Sequence, residues 1–538
     1  MLEISKSTNN IGATFSSVNP NIYNQFKKDQ DGEVFEKVVF DLMLNKYSDD
    51  PELSDYILSL PNDKQRMALL SLIDGDTALW SKMNSYVNDC SDKFEHIKDV
   101  IKIMSKFVKD GEVERKKFGE VMTPLELVKE MLNTLPKEVW SNPNLKWLDP
   151  ANGAGTFPYV VIYKLMNGLK DVEGFEDTEV RYKHIVENMI YTCELQSRNV
   201  FLWLCGVDPK DEYTTNSYWG SFLDEGFDYH MKNVWDVDKF DIIIGNPPYQ
   251  EMDGGNGASA KPIYNLFTEK SIKISSIILF ITPSRWFVGG KGLDGFRKMM
   301  MNSNKISSIK HFDDASEIFG KSVEIKGGVS YFLYNINFND SETNINGNKF
   351  ILNKYDIIIK DVNSIVILDR INIKDNLSKI TDSRSYFGIA TNFEKREDSK
   401  ISNEYVKCYF SKSKGFEKWI NKKNLKKDNL SWRVCTPRAA GSTGNLNKFG
   451  NLFIIQPGEH LSDSYISFRV ENKEQGESLI SYLKTDFVSL LLSLRKIDHS
   501  VKPDTCKWIP IVPFDREWND RLLIEHFNIL DLESIILI

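Results

Sequence analysis

Asn246-Pro247-Pro248-Tyr249 combines three chemical properties in one turn. The Asn246 side chain carries an acceptor and two donor hydrogens on one amide. Pro247 and Pro248 each fix φ and remove a backbone donor, so the carbonyls of this turn are stiff acceptors. Tyr249 adds a flat aromatic face. Such a turn can grip a planar ring that bears an amino group; its plain structural role is a proline-rich turn closing a strand. A second stretch, Asp149-Pro150-Ala151-Asn152-Gly153-Ala154-Gly155-Thr156-Phe157, carries Gly-x-Gly spacing ahead of an apolar helical run from Pro158 to Met166. Its glycines let a ligand approach the backbone, and a helix start offers free N–H groups.

Both stretches need strands to position them. Phe240 to Ile244 is a short β-branched run ended by Gly245 and reads as a buried strand; Leu145 to Leu148 reads as another. Strand, Gly-x-Gly turn and helix form the nucleotide-binding corner of a doubly wound sheet. Asp149 would repel a phosphate and suits a ligand with positive groups, which tilts the reading from a dinucleotide toward S-adenosylmethionine. Asn188 to Cys193 is the next expected strand. It ends at Glu194, placed to accept from ribose hydroxyls or to cap a helix from Gln196 to Leu204. Thr123, Pro124 and Glu126 read as an N-cap, first helical position and near capping box. Helices are expected over Ile263–Ile274 and Leu293–Met301, and strands over Ile277–Ile281, Ile306–Phe312 and Gly328–Tyr334. Phe319, in a polar turn, is a candidate second stacking face or a core residue. Residues 253–260 form a glycine-rich loop suited to a lid, a clamp or a plain connection.

A chain of 538 residues with 41% hydrophobic content is too long for one domain. The periodicity divides it into a helical N-terminal region (1–110), an α/β domain (111–345) and a mixed domain of short strands (346–538). No acidic pair with a Glu-x-Lys strand, as a restriction nuclease would need, stands out in the N-terminal helical stripes. The net charge of −8 repels phosphate, so any nucleic-acid surface must be local. One such stretch exists: residues 407–438 hold ten Lys or Arg against Glu417 and Asp428, with Phe416, Trp419 and Trp432 interleaved. Lys422, Lys423, Lys426, Lys427, Arg433 and Arg438 are its candidate DNA contacts, although a solvated lysine face has the same composition. Six scattered cysteines without a Cys-x-x-Cys pair give no metal site or disulfide framework and fit a reducing compartment. No apolar leader or membrane-length stretch is visible, so a cytoplasmic protein of bacterial or phage type is expected.

With these pieces in this order, the chain resembles the gamma-type DNA adenine-N6 methyltransferases of restriction–modification systems, over roughly Phe118 to Tyr334, with a weaker likeness to their target-recognition domains beyond. The resemblance implies a Rossmann-like, S-adenosylmethionine-dependent methyltransferase domain and double-stranded DNA as substrate. It also implies a partner restriction endonuclease subunit. Thr123 then looks like a contact to the cofactor carboxylate. Asp149, Pro150, Ala151, Gly153 and Gly155 look like the cradle of its amino-acid part, Glu194 its ribose partner and Phe222 a wall for its adenine. Asn246 and the Pro247 carbonyl look like acceptors for the target amino group, within the catalytic turn that Pro248 and Tyr249 complete. Tyr249 and Phe319 look like stacking faces for a flipped base. Where the family usually has Asp-Phe, this chain has Ser221-Phe222, so the acidic contact is lost or moves to Asp224. Rival readings are methylation of an RNA adenine or a protein glutamine, a catalytically degenerate DNA-binding subunit, and a fused methylase–endonuclease.

Overall fold

The structure, a computed structural model, describes residues 123–195, 197–208, 212–251, 261–320, 323, 325, 327–359, 362–371, 373–439, 448–496 and 500–529, together with Ile97 and Ile101. The expected N-terminal helical region, apart from those two isoleucines, and the loop 253–260 lie outside the described residues. No helix among the described residues is long and apolar enough to cross a membrane. The chain divides into two compact units, one ending at Leu352 and one starting at Asn353.

The first unit alternates helices and strands: α1 (Leu125–Leu132), β1 (Trp147–Asp149), α2 (Thr156–Gly168), α3 (Thr178–His184), β2 (Ile190–Glu194), α4 (Ser197–Val207), β3 (Asn216–Trp219), α5 (Glu225–Asn233) and β4 (Phe240–Gly245). Then follow α6 (Tyr264–Ile274), β5 (Ser275–Pro283), α7 (Asp294–Asn302), β6 (Ile306–Phe312), β7 (Val329–Asn335), β8 (Thr343–Ile345) and β9 (Asn348–Phe350). The strands form one nine-stranded sheet in the order β3-β2-β1-β4-β5-β7-β6-β8-β9. Strands β3 to β5 of that order are parallel, and β7 inserts antiparallel between β5 and β6. The inner strands are buried on both faces, which explains why β4 and β5 read as continuous apolar runs. Order reverses at β1, which has β2 on one side and β4 on the other; such a switch point is where open α/β sheets bind ligands, beyond the carboxyl ends of the strands. The boundary expected after residue 345 falls inside the β8–β9 hairpin, which pairs with β6 and stays with this unit.

The second unit contains two three-stranded sheets. One joins β10 (Tyr405–Tyr409), β11 (Glu417–Asn421) and β14 (His460–Leu461). The other joins β12 (Trp432–Pro437), β13 (Phe453–Ile455) and β15 (Tyr465–Val470). Arg433, expected on a DNA-facing surface, is instead 1% exposed inside this unit. Its guanidinium pairs with Asp382, donates to Asn429 Oδ1 (2.6 Å) and lies over Tyr386 and Phe387. Ser467 Oγ also donates to Asp382 (2.8 Å). Its position in β12 points it inward, a fact that a count of basic residues does not reveal. Burial presses its pKa down to about 10, so it stays cationic at neutral pH. Removing Arg433 leaves the buried Asp382 carboxylate with only the Ser467 hydroxyl and the exposed Arg469, 3.6 Å away. Arg433→Met is therefore expected to cost about 3–5 kcal/mol. Urea unfolding of the full chain, followed by tryptophan fluorescence, reads this cost; a loss under about 1 kcal/mol, as at an exposed pair, would contradict it.

Candidate active site

Residues of β1 and β4 face one another through the pairs Trp147–Ile242 and Leu148–Ile243. The two strands therefore end level, and Asp149 stands beside the end of β4. Gly245 has φ +146°, and a Cβ placed on it would come within 2.6 Å of Asp149 Oδ1. Only glycine fits here, and the carboxylate lies against the residue that leads into Asn246. The two stretches picked out in the sequence are thus one site.

The Gly-x-Gly corner is tied to the end of β2 and to the rings beside α2. Gly153 and Gly155 adopt φ +52° and +96°. Gly155 precedes α2 under the rings of Tyr159 and Trp203, and a Cβ there would sit 2.7 Å from both. A Cβ at Gly153 would meet nothing within 4 Å, so that side of the turn is open. Asn152 N donates to the Cys193 carbonyl (3.1 Å) and Gly153 N to Glu194 Oε2 (2.9 Å), which binds the corner to the end of β2. Gly220 N in turn donates to the Glu194 carbonyl (2.8 Å).

Asp149 is 2% exposed. Its Oδ1 accepts from Ala151 N (3.1 Å), while Oδ2 is buried with no hydrogen-bond partner among the described residues. Burial holds its pKa well above the usual carboxylate range; the Ala151 N–H partly offsets this and the Glu194 charge adds to it. A buried carboxylate oxygen without a hydrogen bond fits a cationic ligand group.

Within the Asn-Pro-Pro-Tyr turn Pro247 is buried, Pro248 exposed, and Asn246 and Tyr249 half-buried. The Tyr249 hydroxyl is buried, and burial pushes its pKa up, partly offset by a hydrogen bond with Asn246. Asn246 Nδ2 donates to Thr123 Oγ1 (3.0 Å). This corrects the reading of Thr123 as an N-cap. Pro124 is the N-cap of α1, without a side-chain cap bond, and Glu126 pairs with Lys129 (2.8 Å) rather than closing a capping box. Sequence pattern could place Thr123 before a helix but could not show its partner 123 positions away.

Two expected contacts sit differently. Phe319 is 2% exposed and belongs to the apolar core of the first unit, so its ring faces neighbours rather than a ligand. Phe222 is 1% exposed, packed on Phe227 and Phe267 (4.9 and 5.3 Å between centroids) with Lys270 Nζ 5.0 Å from its ring centre. Asp224 is the N-cap residue of α5 and makes no side-chain cap bond. Lys270, which pairs with Asp228 (2.7 Å), was not foreseen from the sequence. In the second unit Lys422, Lys423, Lys426 and Lys427 are exposed, with Lys427 over the Tyr386 ring (5.1 Å). Arg438 is half-buried, with its backbone bonded to Ser464 and Val501.

Because the folded state raises the Asp149 pKa, it retains a proton that the unfolded chain sheds. Stability is then lost as pH rises above the unfolded carboxyl value of about 3.9 towards the folded one. Asp149→Asn keeps the shape without the charge. It is expected to raise the thermal midpoint of the ligand-free chain at pH 7 and to weaken cofactor binding. Midpoints measured from pH 4 to 8 should separate the two proteins increasingly as pH rises; a variant melting below wild type at pH 7 would remove the desolvation account.

Residues 170–319 match the family described as Eco57I restriction-modification methylase. An uncharacterized adenine-specific methylase of Mycoplasma pneumoniae is 27% identical over 288 residues, covering 41% of this chain and 68% of that protein. Among solved structures, a nuclease-deletion mutant of the Type ISP restriction-modification enzyme LlaGI, in complex with a DNA substrate mimic, aligns with a TM-score of 0.47 at 13% identity; this covers 95% of this chain and 66% of that one. A chain of a type I restriction–modification system aligns with a TM-score of 0.37 at 16% identity, covering 55% and 60% respectively. The chain thus spans less than two thirds of both solved proteins. The stretch similar to that restriction–modification methylase family, residues 170–319, runs from the approach to β2 through the Asn-Pro-Pro-Tyr turn to Phe319.

Proposed function

We propose that this chain is an S-adenosylmethionine-dependent DNA methyltransferase that modifies the exocyclic N6 of an adenine swung out of duplex DNA, as the modification part of a restriction–modification system. The observation that carries the reading is the Asp149 carboxylate packed against Gly245, next to Asn246, at the switch point of the sheet.

Asp149, Ala151, Gly153 and Gly155 would hold the amino-acid part of the cofactor, with Glu194 towards its ribose. Bound there, the cofactor supplies an electrophilic methyl group. The chain's own work is on the target base. The adenine amino nitrogen is a poor nucleophile because its lone pair is delocalised into the ring. Asn246 Oδ1 and the Pro247 carbonyl, accepting its two hydrogens, favour a more tetrahedral nitrogen whose lone pair is available. The half-buried ring of Tyr249 replaces the stacking that a base loses on leaving the duplex. Phe319, sealed in the core, is left out of this role. No general base is needed before transfer, since the methylated amino group is strongly acidic and sheds its proton to water. Exposed Lys422, Lys423, Lys426 and Lys427 would meet backbone phosphates, which set register without reading sequence.

Asn246→Ala is expected to lower methyl transfer to duplex DNA by at least about 100-fold, the scale of a lost transition-state hydrogen-bond partner, while cofactor affinity changes little. Incubation with labelled cofactor and equal amounts of duplex DNA, structured RNA and a glutamine-bearing protein, followed by mass spectrometry of modified bases and residues, tests the substrate. N6-methyladenine in DNA alone is the expected product. Label only in RNA or in glutamine would replace this reading.

A further inference from the structure

We propose that Thr123 is a positioning residue for Asn246, setting which end of its amide faces the substrate. The inference rests on the function proposed above and assigns a task separate from the cofactor contact that the family resemblance implies for Thr123.

The two ends of an asparagine amide are nearly equal in size and opposite in function. The carbonyl end accepts a hydrogen bond from an amino group, whereas the NH2 end presents hydrogens to hydrogens. Rotation about the last side-chain torsion exchanges them, and that torsion is soft. A catalytic asparagine therefore needs a fixed partner on its NH2 end. Thr123 Oγ1 occupies that place, 3.0 Å from Nδ2. Thr123 is buried, so water competes little for the bond.

Thr123 is itself held through a chain of supports. Pro124 (φ −60°, ψ 141°) fixes the entry to α1, and Leu127, Val128, Met131 and Leu132 bury one face of that helix. On the last turn of α1, Glu130 accepts from Tyr331 Oη (2.8 Å) and pairs with Lys310 Nζ (2.5 Å). Tyr331 lies in β7 and Lys310 in β6. A load path thus runs from the sheet through Glu130 and α1 to Thr123, and from there to the amide at the end of β4. The absence of a side-chain cap on α1 fits this division of labour, since the threonine hydroxyl serves the turn instead of the helix.

Thr123→Val keeps the side-chain shape and removes the hydroxyl; Thr123→Ser keeps the hydroxyl and removes a methyl group. Thr123→Val is expected to lower kcat roughly 10- to 100-fold, the scale of a misplaced reacting group. KM for duplex DNA and Kd for S-adenosylmethionine should stay within about threefold, and Thr123→Ser should recover most of kcat. Independently of turnover, full-length protein labelled with 15N-asparagine reports the bond. The Asn246 side-chain NH2 signal, identified by its loss in Asn246→Ala, should exchange slowly with solvent in wild type and in Thr123→Ser, and quickly in Thr123→Val. Unchanged kcat in Thr123→Val, a loss confined to cofactor affinity, or an NH2 signal indifferent to the substitution would each overturn the assignment. If Thr123→Val fails to fold, the same signal compared between wild type and Thr123→Ser decides it: rapid exchange in both would refute the bond. A wild-type chain that leaves adenine unmodified but shows the protected signal refutes the proposed function and leaves the bond standing.

Discussion

The site depends on one packing constraint, the parallel contact of β1 with β4 and the missing side chain at Gly245. Because the two strands end level, the carboxylate at the end of one and the amide at the end of the other lie together at the carboxyl ends of the central strands. A Cβ at residue 245 would occupy the volume of Asp149 Oδ1. The glycine that closes the β4 run is therefore a spacing element between the Asp149 corner and the Asn-Pro-Pro-Tyr turn. Other site residues reach the same place from separate elements, Thr123 from the start of α1 and Glu194 from the end of β2.

Much of this was legible in the chain. The sequence pattern places a strand over 306–312 with the bounds that the structure gives, and the strand expected at 240–244 ends one residue later, at Gly245. The 240–244 run is apolar, β-branched and almost wholly buried, so local pattern and tertiary environment agree; in 306–312 only Ile306, Ile309 and His311 are buried. β3 was missed because Asn216-Ser217-Tyr218-Trp219 is half polar; it lies at the sheet edge, where only part of the strand is buried. Thr123, Phe319 and Arg433 show a different limit. Each was assigned from its chemical type, and what decides its place is a partner far along the chain: Asn246 for Thr123, the core for Phe319, Asp382 for Arg433.

Charge in the second unit sorts in the same way. Lys407 pairs with Glu417 (2.9 Å), Lys418 with Asp398, and Arg433 with Asp382. What remains exposed is Lys412 and Lys414 before β11 and Lys422, Lys423, Lys426 and Lys427 after it. A tally of basic residues overstates the cationic surface because part of it is neutralised within the fold. The usable positive field of an acidic chain is concentrated over a few residues, and contacts there are the ones that salt would screen.

The bond between Gly153 N and Glu194 Oε2 has a thermodynamic consequence. The glycine corner is clamped to β2 by the chain's own hydrogen bond, so its backbone entropy is surrendered during folding and not when a ligand binds. Association at this corner should resemble a key entering a finished lock, with a rate set by diffusion and desolvation rather than by loop rearrangement.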